Sequence, residues 1–216
     1  GRWRWDRRSK PRRFSAASRS PQLPWVNVSI VTLLRPPRGM SRQAMLAALE
    51  RAAPGAHVPL ARPALRFLPL GRHPVAMAHG DVSVEGLIAH RYRVTTAIPR
   101  DGEPGTVGLL TLLRRRPGLD DATFQRRWFR GHSPLAMAVH PMVRYERHAV
   151  LEALDGAPPL DGIVVEHFRS AADVIRPWRF FGGRGRPLRD ALAVARDAAG
   201  FLDLGRLENH LVRIRP

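Results

Sequence analysis

Residues 106–132 read TVGLLTLLRRRPGLDDATFQRRWFRGH, and the interpretation of the whole chain starts from this stretch. Residues 107–113 form an apolar run that extends over both faces of a strand, which predicts a central strand covered on at least one side. A basic turn with Pro117 and Gly118 follows. Asp120 then predicts the start of a helix, because its carboxylate can accept a hydrogen bond from a free backbone N–H of the first turn.

The helix that follows is amphipathic. Phe124 and Trp128 are four residues apart and therefore share the face that packs on the core. Gly131 is typical of the position just after a helix end, so we expect the helix to stop there and a second short helix to begin at Ser133. His132 would then lie immediately beyond a helix terminus.

The rest of the second half continues the same alternation of strands and helices. Residues 143–154, 162–168 and 206–214 are typical of strands, and residues 187–201 are typical of a helix with one apolar stripe. The order β-α-β-β-α-β predicts the α+β class and a ferredoxin-like unit, with two helices on one face of an antiparallel sheet. The other face of the sheet stays free for a ligand or for a second sheet.

A fainter copy of this unit occurs upstream. The segment VSIVTLLRPPRGMS at residues 28–41 aligns without a gap on VGLLTLLRRRPGLD at residues 107–120, with six identities. Residues 84–93 also align on residues 160–169. Two matching blocks in the same order predict an intrachain tandem repeat. The first copy is incomplete, because too few residues follow its second block to form another helix and strand.

We therefore expect four parts in the chain. They are a disordered basic tail (1–25), a degenerate and incomplete first repeat (26–100), a linker (101–105) and a complete second unit (106–216). The composition of the tail overlaps that of organellar transit peptides. We prefer a disordered tail or an extension upstream of the native start.

The composition restricts the class of protein. A formal charge of +18 suggests nucleic acid binding, but 35 of the 36 basic residues are Arg, which is typical of a GC-rich bacterial genome. Nucleic acid binding is therefore the weakest of our hypotheses. The chain has no Cys, which excludes disulfides and thiolate chemistry. No apolar run approaches the ~20 residues that span a bilayer, which predicts a soluble, cytoplasmic protein without a membrane partner.

Three segments of the second half resemble the EthD family of the dimeric α/β-barrel superfamily. They are LLRRRPGLDDATFQRRWFRGHSPLA from Leu112, VRYERHAV from Val143 and LDGIVVEHFRS from Leu160. The resemblance covers about residues 105–215 and implies two ferredoxin-like sheets that pack face to face as a barrel. The partner of the second unit would be the first repeat of the same chain or another chain in a homodimer.

The resemblance also implies a role in a catabolic or biosynthetic pathway. EthD-like proteins are linked to monooxygenases, and relatives in the superfamily include cofactor-independent isomerases and polyketide cyclases. The expected ligand is a small aromatic or polyketide-like compound, with no cofactor. One hypothesis is a proton-transfer enzyme or a partner of a monooxygenase, and the other is a non-catalytic ligand-binding or accessory module.

Three residues of the EthD-like half are candidate catalytic residues. His132 matches the histidine of the family, and a neutral imidazole near pH 7 can accept and return a proton; alternatively, His132 caps the preceding helix. Tyr145 matches the tyrosine of the family and can bind a substrate oxygen, or it is a core residue with its hydroxyl at the rim. Glu166 can orient His132, or it forms a surface salt bridge.

The other histidines form no compact ligand cluster in the sequence, so no metal site is predicted. His140, His148 and His210 are interpreted as rim or surface residues. In the first repeat, residues 53–54 are Ala-Pro at the place that corresponds to His132. We therefore expect at most one site per chain, and expect it in the second unit.

Overall fold

The computed structural model describes residues 27–61, 68, 70–182 and 185–215. The tail at residues 1–25 thus lies outside the described residues. The first half contains β1 (Asn27–Arg35), α1 (Arg42–Ala52), β2 (Val58–Pro59), β3 (Ala76–His79) and β4 (Ile88–Arg100). The second half contains β5 (Val107–Leu113), α2 (Asp121–Arg126), a π-helical turn (Arg127–His132), α3 (Ser133–Val139), β6 (Arg144–Ala153), β7 (Gly162–Phe168), α4 (Ala171–Ile175), α5 (Pro177–Phe180), α6 (Pro187–Ala199) and β8 (Glu208–Arg213).

These eight strands form one antiparallel sheet in the order β2-β8-β5-β7-β6-β4-β1-β3. The two edge strands, β2 and β3, come together at one point. The backbones of His57, directly before β2, and Met77, within β3, exchange two hydrogen bonds of 2.7 and 3.1 Å. The sheet is therefore nearly closed into a barrel. This confirms the mixed α+β class and the barrel-like arrangement expected from the sequence.

Side chains alternate between the interior of the barrel and its outer surface, as the pleat of a strand requires. Both halves of the chain contribute to one apolar interior: Val31, Leu33, Met77, Tyr92, Val94, Leu110, Leu112, Ile163, Val165 and Val212. Outside the barrel, α1 packs on the first half and α2–α6 pack on the second, in two separate clusters. Within the described part of the chain, none of these helices has the length and apolar character that crossing a bilayer requires.

The two halves have the same strand order. It is β8-β5-β7-β6 in the second half, and β4-β1-β3-β2 in the first half when the His57–Met77 bridge is counted as the contact between β3 and β2, so β1 and β5 hold equivalent places. The alignment of residues 28–41 with residues 107–120 agrees with this equivalence. The alignment of residues 84–93 with residues 160–169 does not, because β4 takes the place of β8, whereas the strand that begins at Gly162 is β7.

The first half lacks a helix between its third and fourth strands. Residues 80–87 connect β3 to β4 without a helix. The first copy is therefore incomplete, but the gap lies before its last strand and not after it. Within the upstream block at residues 84–93, β4 begins at Ile88, and it ends at Arg100, directly before the residues that we expected to form a linker.

The helix that follows β5 does not end at Gly131, so that prediction is wrong. Residues 121–139 form one continuous helical segment with a π-helical turn in its middle. Its N-terminus is capped as predicted, because the side chain of Asp120 accepts a hydrogen bond of 2.8 Å from the backbone N–H of Thr123. In the π-helical turn, the N–H of Ser133 bonds the carbonyl of Trp128, five residues earlier.

Candidate functional site

The π-helical turn determines where His132 points. The turn contains one more residue than an α-helical turn, and such segments often occur at functional sites. Ser133 stabilises it by donating its hydroxyl to the carbonyl oxygen of Trp128 at 2.9 Å. Trp128 keeps its place in the core, where its side chain is 1% exposed. His132, four residues later, comes to lie against α6.

His132 and Asp197 form a hydrogen-bonded pair between the π-helical turn and α6. Nδ1 of His132 lies 2.8 Å from Oδ2 of Asp197. A carboxylate only accepts hydrogen bonds, so Nδ1 donates and the lone pair remains on Nε2. Burial lowers the pKa of His132 below 6.5, although the hydrogen bond to Asp197 opposes that shift. The imidazole is therefore neutral at neutral pH. The alternative role as a helix cap does not apply, because the helical segment continues past His132.

A groove on the surface carries three arginines and reaches the pair through Asp197, whereas His132 is not one of its lining residues. Asp197 lines the groove together with Arg127, Arg189 and Arg196, and the side chain of Leu192 provides an apolar wall. The volume of the groove is about 580 Å³. A groove with this lining suits an apolar ligand that carries or develops a negative charge, because guanidinium groups bind oxyanions.

Tyr145 lies beneath the same helices and does not reach the groove. Its side chain is 1% exposed. Its hydroxyl lies 3.3 Å from Oγ of Ser133. Burial raises the pKa of Tyr145 to about 12, so the phenol stays protonated at neutral pH. This position matches the alternative of a core tyrosine, with the difference that the hydroxyl is buried and not at a rim.

Glu166 pairs with His140 and not with His132. Both carboxylate oxygens of Glu166 lie 3.1 Å from Nδ1 of His140. His140 also stacks on Phe180, with ring centroids 4.0 Å apart. The charge of Glu166 acts on His132 only through space, in the direction that raises its pKa. The carboxylate that holds His132 is Asp197, a residue that we did not single out from the sequence.

A second group of polar side chains lies inside the barrel, at one end. His57, His79, Glu146 and His167 line a cavity of about 530 Å³. Glu146 and His148 are two residues apart on β6 and therefore both face the interior. His167 reaches the same face from β7, the strand paired with β6. Four histidines from four parts of the chain thus surround one carboxylate.

Three histidines that we interpreted as rim or surface residues are buried, so that interpretation is wrong. His148 is completely buried, and His140 and His210 are 7% and 5% exposed. Periodicity alone did not reveal this, because His148 and His210 lie on interior faces of strands whose sheet closes only in the full fold.

Three of these histidines, His57, His148 and His167, are neutral at neutral pH, and Glu146 is ionised. Burial lowers the pKa of His57 and of His148 to about 4, and the neighbouring His79 contributes to both shifts. Burial also lowers the pKa of His167. For Glu146, burial alone would raise the pKa, but the hydrogen bond from Arg144 and the nearby His167 hold it below its usual value.

Comparison of the chain with protein-family models gave no match, and comparison with curated proteins gave no match either.

Proposed function

We propose that this chain is an EthD-like protein that acts in the cytoplasm on a small aromatic or polyketide-like compound. Its reaction is a cofactor-independent proton transfer of the isomerase or cyclase type, with His132 as the base. The observation that carries this proposal is the 2.8 Å hydrogen bond between His132 and Asp197 beside a groove lined by arginines. A histidine held by a carboxylate, with its second nitrogen free, is a common form of general base.

The architecture supports the proposal of two ferredoxin-like units in one chain. The shared strand order of the halves is the order expected for such units, and the edge strand of each half pairs with the other half. The first unit contributes interior strands, but its helix α1 ends at Ala52, with Ala53 as its C-cap, whereas the helical segment of the second unit continues past His132. The active site in this proposal therefore belongs to the second unit alone.

The chemistry follows from the state of the imidazole. Nε2 of His132 accepts a proton from an acidified C–H or a phenolic O–H of the ligand and returns it to another atom. Asp197 stabilises the imidazolium that forms in between. The arginines of the groove, Arg127, Arg189 and Arg196, stabilise the enolate or phenolate oxygen.

The exchange of deuterium from D₂O into 2-tetralone, an enolisable aromatic ketone, tests this function. We expect the protein to accelerate exchange at neutral pH. A positioned base contributes roughly 10²–10⁴-fold, so His132→Ala should lower the rate by about 100-fold or more. His73→Ala is the matched control, because His73 is an exposed histidine away from the groove.

A binding experiment separates the two functional hypotheses. NMR shifts on titration with 1-naphthoate report occupation of the groove, and Arg196→Ala should weaken this binding. Binding without exchange would favour the non-catalytic ligand-binding module. If 2-tetralone exchange and 1-naphthoate binding are both indifferent to His132→Ala and Arg196→Ala, the groove is not the functional site and the proposal is wrong.

A further inference from the structure

The end of the barrel contains imidazole nitrogens without partners. Nε2 of His148 and both ring nitrogens of His167 are buried and have no hydrogen-bond partner among the residues that the structure describes. The two residues are 0% and 2% exposed. A buried polar atom without a partner costs roughly 1–3 kcal/mol, so such atoms usually have a partner that the chain itself does not supply.

Three imidazole nitrogens, two of them buried and one on the half-exposed His79, lie near one carboxylate. Nε2 of His148 and Nε2 of His79 lie 3.8 and 3.9 Å from Oε2 of Glu146. Nε2 of His167 lies 3.5 Å from Oε1 of the same group. These separations are too long for hydrogen bonds. Two ligands of a tetrahedral ion with bonds of about 2.1 Å are about 3.4 Å apart, so the separations are close to those of a shared ion.

At least one side chain has to move before an ion can bind. As the side chains stand, no group of three or more His, Asp or Glu residues in the described ranges could hold a metal ion. The separation of 3.9 Å between Nε2 of His79 and Oε2 of Glu146 shortens when His79 turns inward. The side chain of His79 is 54% exposed and lies at the end of β3, so it has room to do so.

Further residues hold these side chains in the required state. Nδ1 of His148 lies 2.9 Å from Oγ1 of Thr96, which can accept its proton and leave Nε2 free for an ion. Arg144 donates to Oε1 of Glu146 at 2.6 Å, which leaves Oε2 for the same ion.

We propose that Glu146, His79 and His148 bind a divalent transition-metal ion such as Zn²⁺ inside the end of the barrel. His167 is the fourth ligand or holds a water molecule on the ion, and the cavity gives that position access from solvent. Imidazole ligands select Zn²⁺ or Co²⁺ over Mg²⁺ and Ca²⁺, which prefer oxygen ligands. The site lies on the opposite face of the sheet from Tyr145 and Glu166, and it does not depend on the proton transfer proposed for His132.

The test uses the full chain without a polyhistidine tag, dialysed against EDTA and titrated with Zn²⁺ by calorimetry and with Co²⁺ by visible absorption. We expect one ion per chain. His79→Ala and Glu146→Gln should each weaken binding by at least about tenfold, and Thr96→Val should weaken it by roughly 10–100-fold through the orientation of His148. His73→Ala, in the same metal titrations, should change nothing.

The proposal is overturned if neither ion binds saturably, or if His79→Ala and Glu146→Gln bind as tightly as the unaltered chain. Circular dichroism checks that each variant is folded. If Glu146→Gln does not fold, the metal titration of His79→Ala still tests the proposal, because the side chain of His79 is half-exposed. His132→Ala should retain full metal affinity, so a failure of deuterium exchange and a failure of metal binding are independent results.

Discussion

Trp128 lies directly over Gly162, the first residue of β7. A Cβ atom placed on Gly162 would lie 2.5 Å from Cη2 of the Trp128 indole, which is closer than side chains pack. Because Trp128 is 1% exposed and surrounded by the core under the helices, the ring has little space into which to move. The absence of a side chain at Gly162 thus determines how closely the π-helical turn approaches the sheet.

Gly162→Ala should therefore destabilise the protein by roughly 1–3 kcal/mol, the usual cost of overpacking a core. Chemical denaturation measures the change. Gly55→Ala is the matched control, because nothing lies within 4 Å of a Cβ at Gly55. The stability of that control should change by less than about 0.5 kcal/mol. Equal effects of the two substitutions would contradict the close packing of Trp128 on β7.

Gly131→Ala should stabilise the protein by about 0.5–1 kcal/mol, because alanine has a higher helix propensity than glycine. Gly131 is helical, and the nearest atom to an added Cβ is Oδ1 of Asp197 at 4.0 Å, an ordinary contact. Thermal unfolding of the variant checks this. A helix that ended at Gly131 in the left-handed conformation would instead lose stability on this substitution.

The two tyrosines of the chain should resist ionisation while the protein is folded. Burial raises the pKa of both Tyr92 and Tyr145 from 10.0 to about 12. The tyrosines ionise at lower pH in the unfolded chain than in the folded protein. The free energy of unfolding therefore keeps its full value below pH 10 and decreases as the pH rises towards 12. The loss is roughly 3 kcal/mol per tyrosine.

Ultraviolet titration of phenolate absorbance measures this directly. The folded protein should show little phenolate at pH 10, whereas the chain in guanidinium chloride should titrate near the ordinary value. A midpoint near 10 in the folded protein would show that at least one of the two hydroxyls is open to water.

Local signals in the sequence predicted much of the second half. Gly162–Phe168 is a strand with the predicted bounds, and Asp120 caps the predicted helix. These features depend on short-range chemistry, namely side-chain alternation and one hydrogen bond within a turn. The barrel was expected from the resemblance to the EthD family, and the repeat was one possible source of its second sheet. The aligned blocks at β1 and β5 occupy equivalent places in the sheet.

The parts that could not be predicted depend on contacts between distant segments. The π-helical turn at Gly131 follows from the packing of Trp128 on a strand more than thirty residues away. Asp197 is a polar position on α6 whose role appears only when that helix lies beside His132. The sequence shows that Glu146 and His148 are two residues apart. It does not show that His57 and His79 lie near them, because that proximity requires closure of the sheet.

The pH titration of the His132 Cε1–H resonance by NMR tests most directly whether His132 is a neutral base held by Asp197. Burial lowers the pKa of His132 and Asp197 raises it, so the midpoint should lie below 6.5 and should fall further in Asp197→Asn. A midpoint at or above 6.5, or one that Asp197→Asn leaves unchanged, would contradict the pair on which the proposed function depends.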